Sequence, residues 1–419
     1  MWLLNTTTCE LSDIIGQNIP PYAILSHTWS SSEVLFRDME TFPISVSTMQ
    51  KPGFSKVSQF CKLAKSYGFE YGWVDSCCID KRSSAELSEA INSMYAWYRD
   101  AGLCIVYLHD VPHLANVELE SEEGGIESRT WVEAFQKSRW FTRGWTLQEL
   151  IAPKNRLFFA SDWTEISTTV LSTQYKVDLL DLITSITDIP IKILRNGFSP
   201  LGYCIATRMS WASSRITTRP EDGAYCLLGL FNASIPILYG EGLEKAFARL
   251  QEEIMKGSFD QTLFVWRGPY ESSGLLAHYP SDFANTPQLE VWGPDMLAPY
   301  YMTNTGLYIQ ACVFKEAPGI NSPVMDEVLA VLQCDIKTEN VWKHIMVQLR
   351  CVNRTSCLVN GEVCIACRRV NCDTLIVKPF ERYSHLPMLV LEDRHSDLVQ
   401  RALRLHDRRW ATRLVVPHS

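Results

Sequence analysis

PYAILSHTW (21–29) is the stretch whose reading decides the fold class. Its apolar run is short, does not alternate, and ends in polar residues, as in a parallel strand buried on both faces. Working outward, SKVSQFCKLAKSY predicts a helix over about 55–67, stopped by Gly68. FEYGWVDSCCID (69–80) predicts a second strand. Ser83 and Glu86 then form an S-x-x-E capping box that opens a helix. Its apolar positions Leu87, Ile91, Met94, Tyr95 and Tyr98 fall on one face. LCIVYLHDV (103–111) reads as a third strand and RLFFA (156–160) as a fourth, with the acidic loop ELESEEGG (118–125) and two helical pieces between them. Such alternation over about 20–165 is the signature of a doubly wound α/β domain, here with the first strand central.

Beyond it the pattern turns helical, with helices expected at 174–186, 201–212, 221–230 and 241–256. After Trp266 the runs GLLAHYP, GLYIQACVF, EVLAVLQCDI, HIMVQLRCV and TLIVKPF are strand-like and predict a β-sandwich or barrel of six or more strands. The expected segments are therefore an α/β core at 1–165, a helical extension at 166–266 and a β-rich domain at 267–419.

With 46% apolar and 21% charged residues in 419, the composition is globular. Thirty-nine basic against 47 acidic residues give a net charge of −8, which lacks the footprint of a duplex nucleic-acid binder. The basic tail residues Arg401, Arg404, Arg408, Arg409 and Arg413 read as a solvated helix face. The N-terminus carries no secretory pattern and no run of 18 apolar residues exists, so neither export nor a membrane span is expected. Most of the 14 cysteines sit in apolar runs and read as reduced, buried thiols of a cytoplasmic protein. Cys364 and Cys367 form a lone CxxC without a partner motif, so no metal site is expected.

Ligands of open parallel sheets bind beyond the carboxyl ends of the strands. Those ends hold Ser26, His27, Thr28 and Trp29, then Asp75, Ser76, Cys77 and Cys78, and after the third strand Arg139, Trp140, Arg143, Trp145 and Glu149. A ligand site and the loop and cap residues of an interaction domain fit this spacing equally. GxGxxG, P-loop and GxSxG motifs are absent, which sets aside dinucleotide-fingerprint, nucleotide-triphosphatase and hydrolase readings. Cys77 or Cys78 with His27 would make a thiol nucleophile and base, against the simpler reading of packing.

Five blocks in order, YAILSHTW (22–29), FEYGWVDSCCIDKRSSAELSEAINSMYAWYRDA (69–101), SRWFTRGWTLQELIAP (138–153), RMSWASSRITTRPEDGAYCLLGLF (208–231) and LYGEGLEKAFARLQEEIM (238–255), resemble the fungal heterokaryon-incompatibility (HET) domain. The resemblance implies a trigger of programmed death after non-self recognition. That domain is in turn distantly similar to TIR domains, which implies a TIR-like (flavodoxin-like) sheet in the core at 1–165. WTLQEL (145–150) stands where plant TIR domains carry W-C-L-x-E-L, with Thr146 in place of the Cys. The resemblance implies that Glu149 is the acid that cleaves NAD, with NAD as substrate and no resident cofactor. Ser26, His27, Thr28, Trp29, Asp75, Cys77, Arg143 and Trp145 are the expected binding residues. A lone carboxylate suits this chemistry, because nicotinamide leaves as a neutral pyridine and only the ribosyl cation needs stabilising. The alternative is a non-enzymatic scaffold that signals by self-association or by binding another incompatibility protein. Arg215, Arg219, Glu221, Asp222, Glu241 and Glu244 are expected to clamp the helical extension by Arg–carboxylate pairing.

Overall fold

A computed structural model describes residues 1–14, 16, 18–113, 126–167, 169–171, 176–195, 198–292, 300–303, 306–314, 327–338, 341–359, 362–379 and 412–416. Two edge strands, β1 (Trp2–Asn5) and β2 (Leu11–Asp13), precede β3 (Tyr22–His27), whose six residues are all buried. Ile24 and Leu25 are fully enclosed, each stabilising the fold by about 2 kcal/mol. Short helices α1 (Phe36–Met39) and α2 (Val46–Met49) lead to α3 (Pro52–Ser66). Pro52 starts α3 where no amide donor is needed, and Gly68, at φ +88°, turns the chain away from it.

β4 (Tyr71–Trp73) and α4 (Ser84–Asp100) follow. The capping box is only half formed: Ser83 caps the Glu86 amide, while the Glu86 carboxylate takes the amide of Asp80 at 2.8 Å. Ala90, Ile91, Met94 and Tyr98 form the buried stripe of α4, with Leu87 and Tyr95 half-buried at its border. Next come β5 (Leu103–Tyr107), α5 (Ile126–Gln136), α6 (Thr146–Ile151), β6 (Arg156–Phe159) and β7 (Glu165–Ile166). The acidic loop 118–125 lies outside the described residues.

The strands join in the order β2-β1-β4-β3-β5-β6-β7. β4, β3, β5 and β6 are mutually parallel, and the outer strands run antiparallel. β3 is therefore central, with its successor β4 on one side and β5 on the other. The strand order reverses between β3 and β5, so a crevice is expected at their carboxyl ends.

A small hairpin of β8 (Thr169–Leu171) and β9 (Lys176–Asp178) precedes α7 (Leu179–Thr187) and α8 (Ile191–Leu194). α9 (Ile205–Ser210), α10 (Asp222–Tyr225) and α11 (Leu243–Lys256) complete the helical stretch. The chain divides into two compact units. One comprises Met1–Gly202 with Arg215–Glu241, and the other Tyr203–Ser214 with Gly242–Ser419. The helices between 166 and 266 are thus shared: α7, α8 and α10 belong to the first unit, α9 and α11 to the second.

The second unit is mostly β. β10 (Ser272–Ser273), β11 (Leu289–Val291) and β12 (Tyr300–Thr303) are short. The longer strands are β13 (Gly306–Phe314), β14 (Glu327–Thr338), β15 (Val341–Val359) and β16 (Glu362–Val370), followed by β17 (Ile376–Pro379) and β18 (Thr412–Val416). β13 pairs with β14, β14 with β15, β15 with β16, β16 with β18, and β18 with β13. That circuit is closed, so these five strands form a barrel and the sandwich alternative falls. Arg413 lies in β18, which corrects the helical reading at that residue; Arg401, Arg404, Arg408 and Arg409 lie outside the described residues. Arg369 is fully buried and donates to the carbonyls of Phe264 and Trp266, its guanidinium 4.0 Å from the Trp266 ring. On α11, buried Gln251 bonds the amide and carbonyl of Ala277, satisfying both ends of its own amide.

Ten cysteines among the described residues are free, Cys367 included; the Cys364 side chain lies outside them. No helix among the described residues is long and apolar enough to cross a membrane. No group of three or more metal-ligating side chains occurs among them.

Candidate functional site

The carboxyl end of β3 carries two hydrogen-bond networks, one on each side of the strand. The first is buried. Trp140 Nε1 donates to Ser26 Oγ at 2.8 Å, and Ser26 Oγ donates to Glu149 Oε2 at 2.5 Å. Glu149 projects from α6, all six of whose residues are buried, and is itself only 6% exposed. Burial, reinforced by the negative charge of Asp75, raises its pKa to about 8 against the downward pull of Ser26, Tyr98 and Arg215. The carboxyl group is therefore largely protonated at neutral pH. The Tyr98 hydroxyl donates to the Leu25 carbonyl at 2.9 Å and lies close enough to Glu149 to favour its ionised form.

The second network opens toward solvent. His27 Nε2 lies 3.0 Å from Asp75 Oδ1, and the Trp29 indole donates to Asp75 Oδ2 at 2.7 Å. Lys56 Nζ lies 2.8 Å and the Thr28 carbonyl oxygen 3.2 Å from His27 Nδ1, so both ring nitrogens have polar partners. Burial would raise the Asp75 pKa, yet the hydrogen bonds from His27 and Trp29 and the charge of Lys81 hold it well below the usual carboxylate range. Lys56 also bonds Glu33 Oε1 at 2.6 Å, which the amide and hydroxyl of Ser30 reach as well. Thr28 Oγ1 meets His109 Nδ1 at 3.1 Å, spanning the reversal between β3 and β5.

The sheet edge thus brings together Ser26, His27, Thr28, Trp29, Asp75 and Glu149. Arg143 and Trp145 stand just before α6. Arg143 donates to Thr218 Oγ1 at 2.7 Å, and the Trp145 indole bonds Asp222. Cys77 is fully buried; a hydrogen bond with Cys78 and burial hold its thiol protonated, which disfavours a thiolate nucleophile. Arg215 donates to the Arg143 carbonyl at 2.8 Å and to Thr146 Oγ1 at 3.0 Å, fixing the start of α6. Asp222 and Glu241 take the hydroxyls of Tyr239 and Tyr225, Glu221 takes the Gly240 amide, and Glu244 takes His278 Nδ1. The acids of this segment thus bond tyrosine hydroxyls, a backbone amide and a histidine. Lys56, Glu33, Tyr98 and Lys81 were not legible as site residues, because they reach the strand end from helices and turns whose periodicity reports only burial.

Residues 22–149 match the family described as Heterokaryon incompatibility protein (HET), and residues 245–354 match a Domain of unknown function (DUF8212). The Vegetative incompatibility protein HET-E-1 of Podospora anserina is 44% identical over 247 residues, which is 58% of this chain. The chain spans 17% of the length of that relative. No solved structure matches. Every side chain of the two networks, from Ser26 to Glu149, lies inside the stretch that matches the heterokaryon incompatibility family.

Proposed function

We propose that this chain acts in fungal non-self recognition in the cytoplasm, and that its α/β unit is a TIR-like effector that cleaves NAD. The reading rests on one observation: a buried carboxyl group, Glu149, hydrogen-bonded to Ser26 at the carboxyl end of the central parallel strand. The strand order β4-β3-β5-β6 agrees with a flavodoxin-like sheet, and the crevice rule puts a ligand at this edge. Free thiols throughout the described residues suit a reducing compartment.

In the proposed reaction the bond between the ribose carbon and the nicotinamide nitrogen breaks heterolytically. Its electron pair stays with nicotinamide, which leaves neutral, and the ribose becomes an oxocarbenium ion. Ionised Glu149 stabilises that cation in a site of low polarity, where one charge counts for most. Water then adds to the ribose carbon and releases its proton, giving ADP-ribose.

The test is release of nicotinamide from NAD by concentrated protein, compared with Glu149→Gln. The variant is expected to lose about 100-fold or more in rate, the scale of removing one key electrostatic group. Absence of any release by the parent protein, or a Gln variant that still kills cells at full strength, makes association without catalysis the better account.

A further inference from the structure

Lys81 and Arg139 stand at Trp29, and Arg219 and Arg143 lie close enough to act on them electrostatically. Lys81 Nζ lies 3.6 Å from the centre of the Trp29 ring, and Arg139 Nη1 reaches the Trp29 carbonyl at 3.4 Å. The Arg143 guanidinium donates to the hydroxyl of Thr218, and the Arg219 guanidinium lies 4.1 Å from the Tyr239 ring. Among the described residues none of the four makes an ion pair. The nearest acids attract them at longer range, Asp75 and Asp222 acting on Lys81 and Asp222 on Arg143 and Arg219. Asp75 is hydrogen-bonded by His27 and Trp29, and Asp222 by Tyr239.

The cations also act on one another. Burial lowers the pKa of Arg143 and of Lys81; Arg139 adds to the effect on Arg143 and Arg219 to that on Lys81, against the upward pull of Asp222 on both and of Asp75 on Lys81. In a chain of net charge −8 such a cluster runs against the average composition. Trp29 is 37% exposed, so its ring is partly open to solvent while Lys81 sits over it. Arginines and a lysine converging beside a partly open indole match a ligand that joins phosphate to an aromatic base.

We infer that Lys81, Arg139, Arg143 and Arg219 bind the diphosphate of a nucleotide, whose base stacks on Trp29. Treating that nucleotide as the substrate of Glu149 rests on the function proposed above; the anion site itself stands on the four cations.

The experiment is calorimetric titration of the full chain with two probes, ADP and inorganic pyrophosphate. Both are expected to bind, ADP about tenfold more tightly because stacking adds to the phosphate contacts. Lys81→Met with Arg219→Gln is expected to weaken both probes by about 100-fold, the loss of two charge-assisted hydrogen bonds. Circular dichroism checks that this variant folds. Glu149→Gln is expected to bind ADP as the parent does, which separates loss of chemistry from loss of the anion site. Binding of ADP by a protein that releases no nicotinamide would support the anion site and refute the proposed reaction. Failure of both probes at millimolar concentration, or a double variant that binds like the parent, would overturn the inference; equal affinity for the two probes would overturn the stacking on Trp29.

Discussion

Glu149 ties the chemistry of the site to the pH dependence of the whole fold. Its pKa of about 8 lies above the ordinary 4.5, so the folded chain holds this proton more tightly than the unfolded chain. The stability it contributes is complete below about pH 4.5 and is lost as pH rises through about 8. Thermal melts of the parent are expected to fall relative to those of Glu149→Gln between about pH 4.5 and pH 8, to level off above that, and to match them within about 1 kcal/mol at the acid end. Catalysis has the opposite slope, because it needs the ionised form. The kcat/KM for NAD is expected to rise with pH through the same pKa. Ser26→Ala removes a hydrogen bond that favours the carboxylate, so that limb should move to higher pH and the rate at neutrality should drop about tenfold. A profile that is flat, or unmoved in Ser26→Ala, would contradict the assignment. Ser26 and Asp75 were legible as strand-end residues because an apolar run stops there, whereas Glu149, on α6, was singled out by the resemblance of WTLQEL to the TIR block. Tyr98 was read as core, and it is buried as expected; its hydroxyl, however, reaches the site, which periodicity does not report.

At the scale of elements, the loop after Trp29 is held by α3. An added Cβ at Gly53 would stand 2.3 Å from the Ser32 carbonyl oxygen and 2.9 Å from the Val34 amide, and backbone cannot step aside as a side chain can. Gly53→Ala is expected to cost about 2 kcal/mol or more in chemical denaturation. Lys56, also on α3, neutralises Glu33 in a nearly enclosed pair, and the second Glu33 oxygen has no partner among the described residues. Lys56→Met would strand that carboxylate, with an expected loss of about 3 kcal/mol and a displaced His27. A denaturation midpoint unchanged in Lys56→Met would show that solvent reaches Glu33. The four parallel strands were legible because each is one apolar run between turn signals. Closure of the barrel was not, since β13 finds its partner β18 about a hundred residues further on, and local patterning carries no information about such a pairing.

For the whole molecule, the matched family stretch ends at residue 149, but the first unit does not end there. It recovers Arg215–Glu241 after the chain has given Tyr203–Ser214 to the second unit. A fragment ending at residue 202 lacks Arg215, which holds Arg143 and Thr146, and is expected to show faster hydrogen exchange through α6 than the intact chain. Equal protection in the two would show that α6 needs nothing beyond residue 202. The backbone passes between the units three times, after residues 202, 214 and 241. For inheritance this means that the two halves cannot be reassorted by a single crossover. Recombination between alleles at any one point from 203 to 241 would join part of one parent's first unit to the other's, so new combinations of α/β unit and barrel would arise most cleanly from breakpoints beyond Glu241.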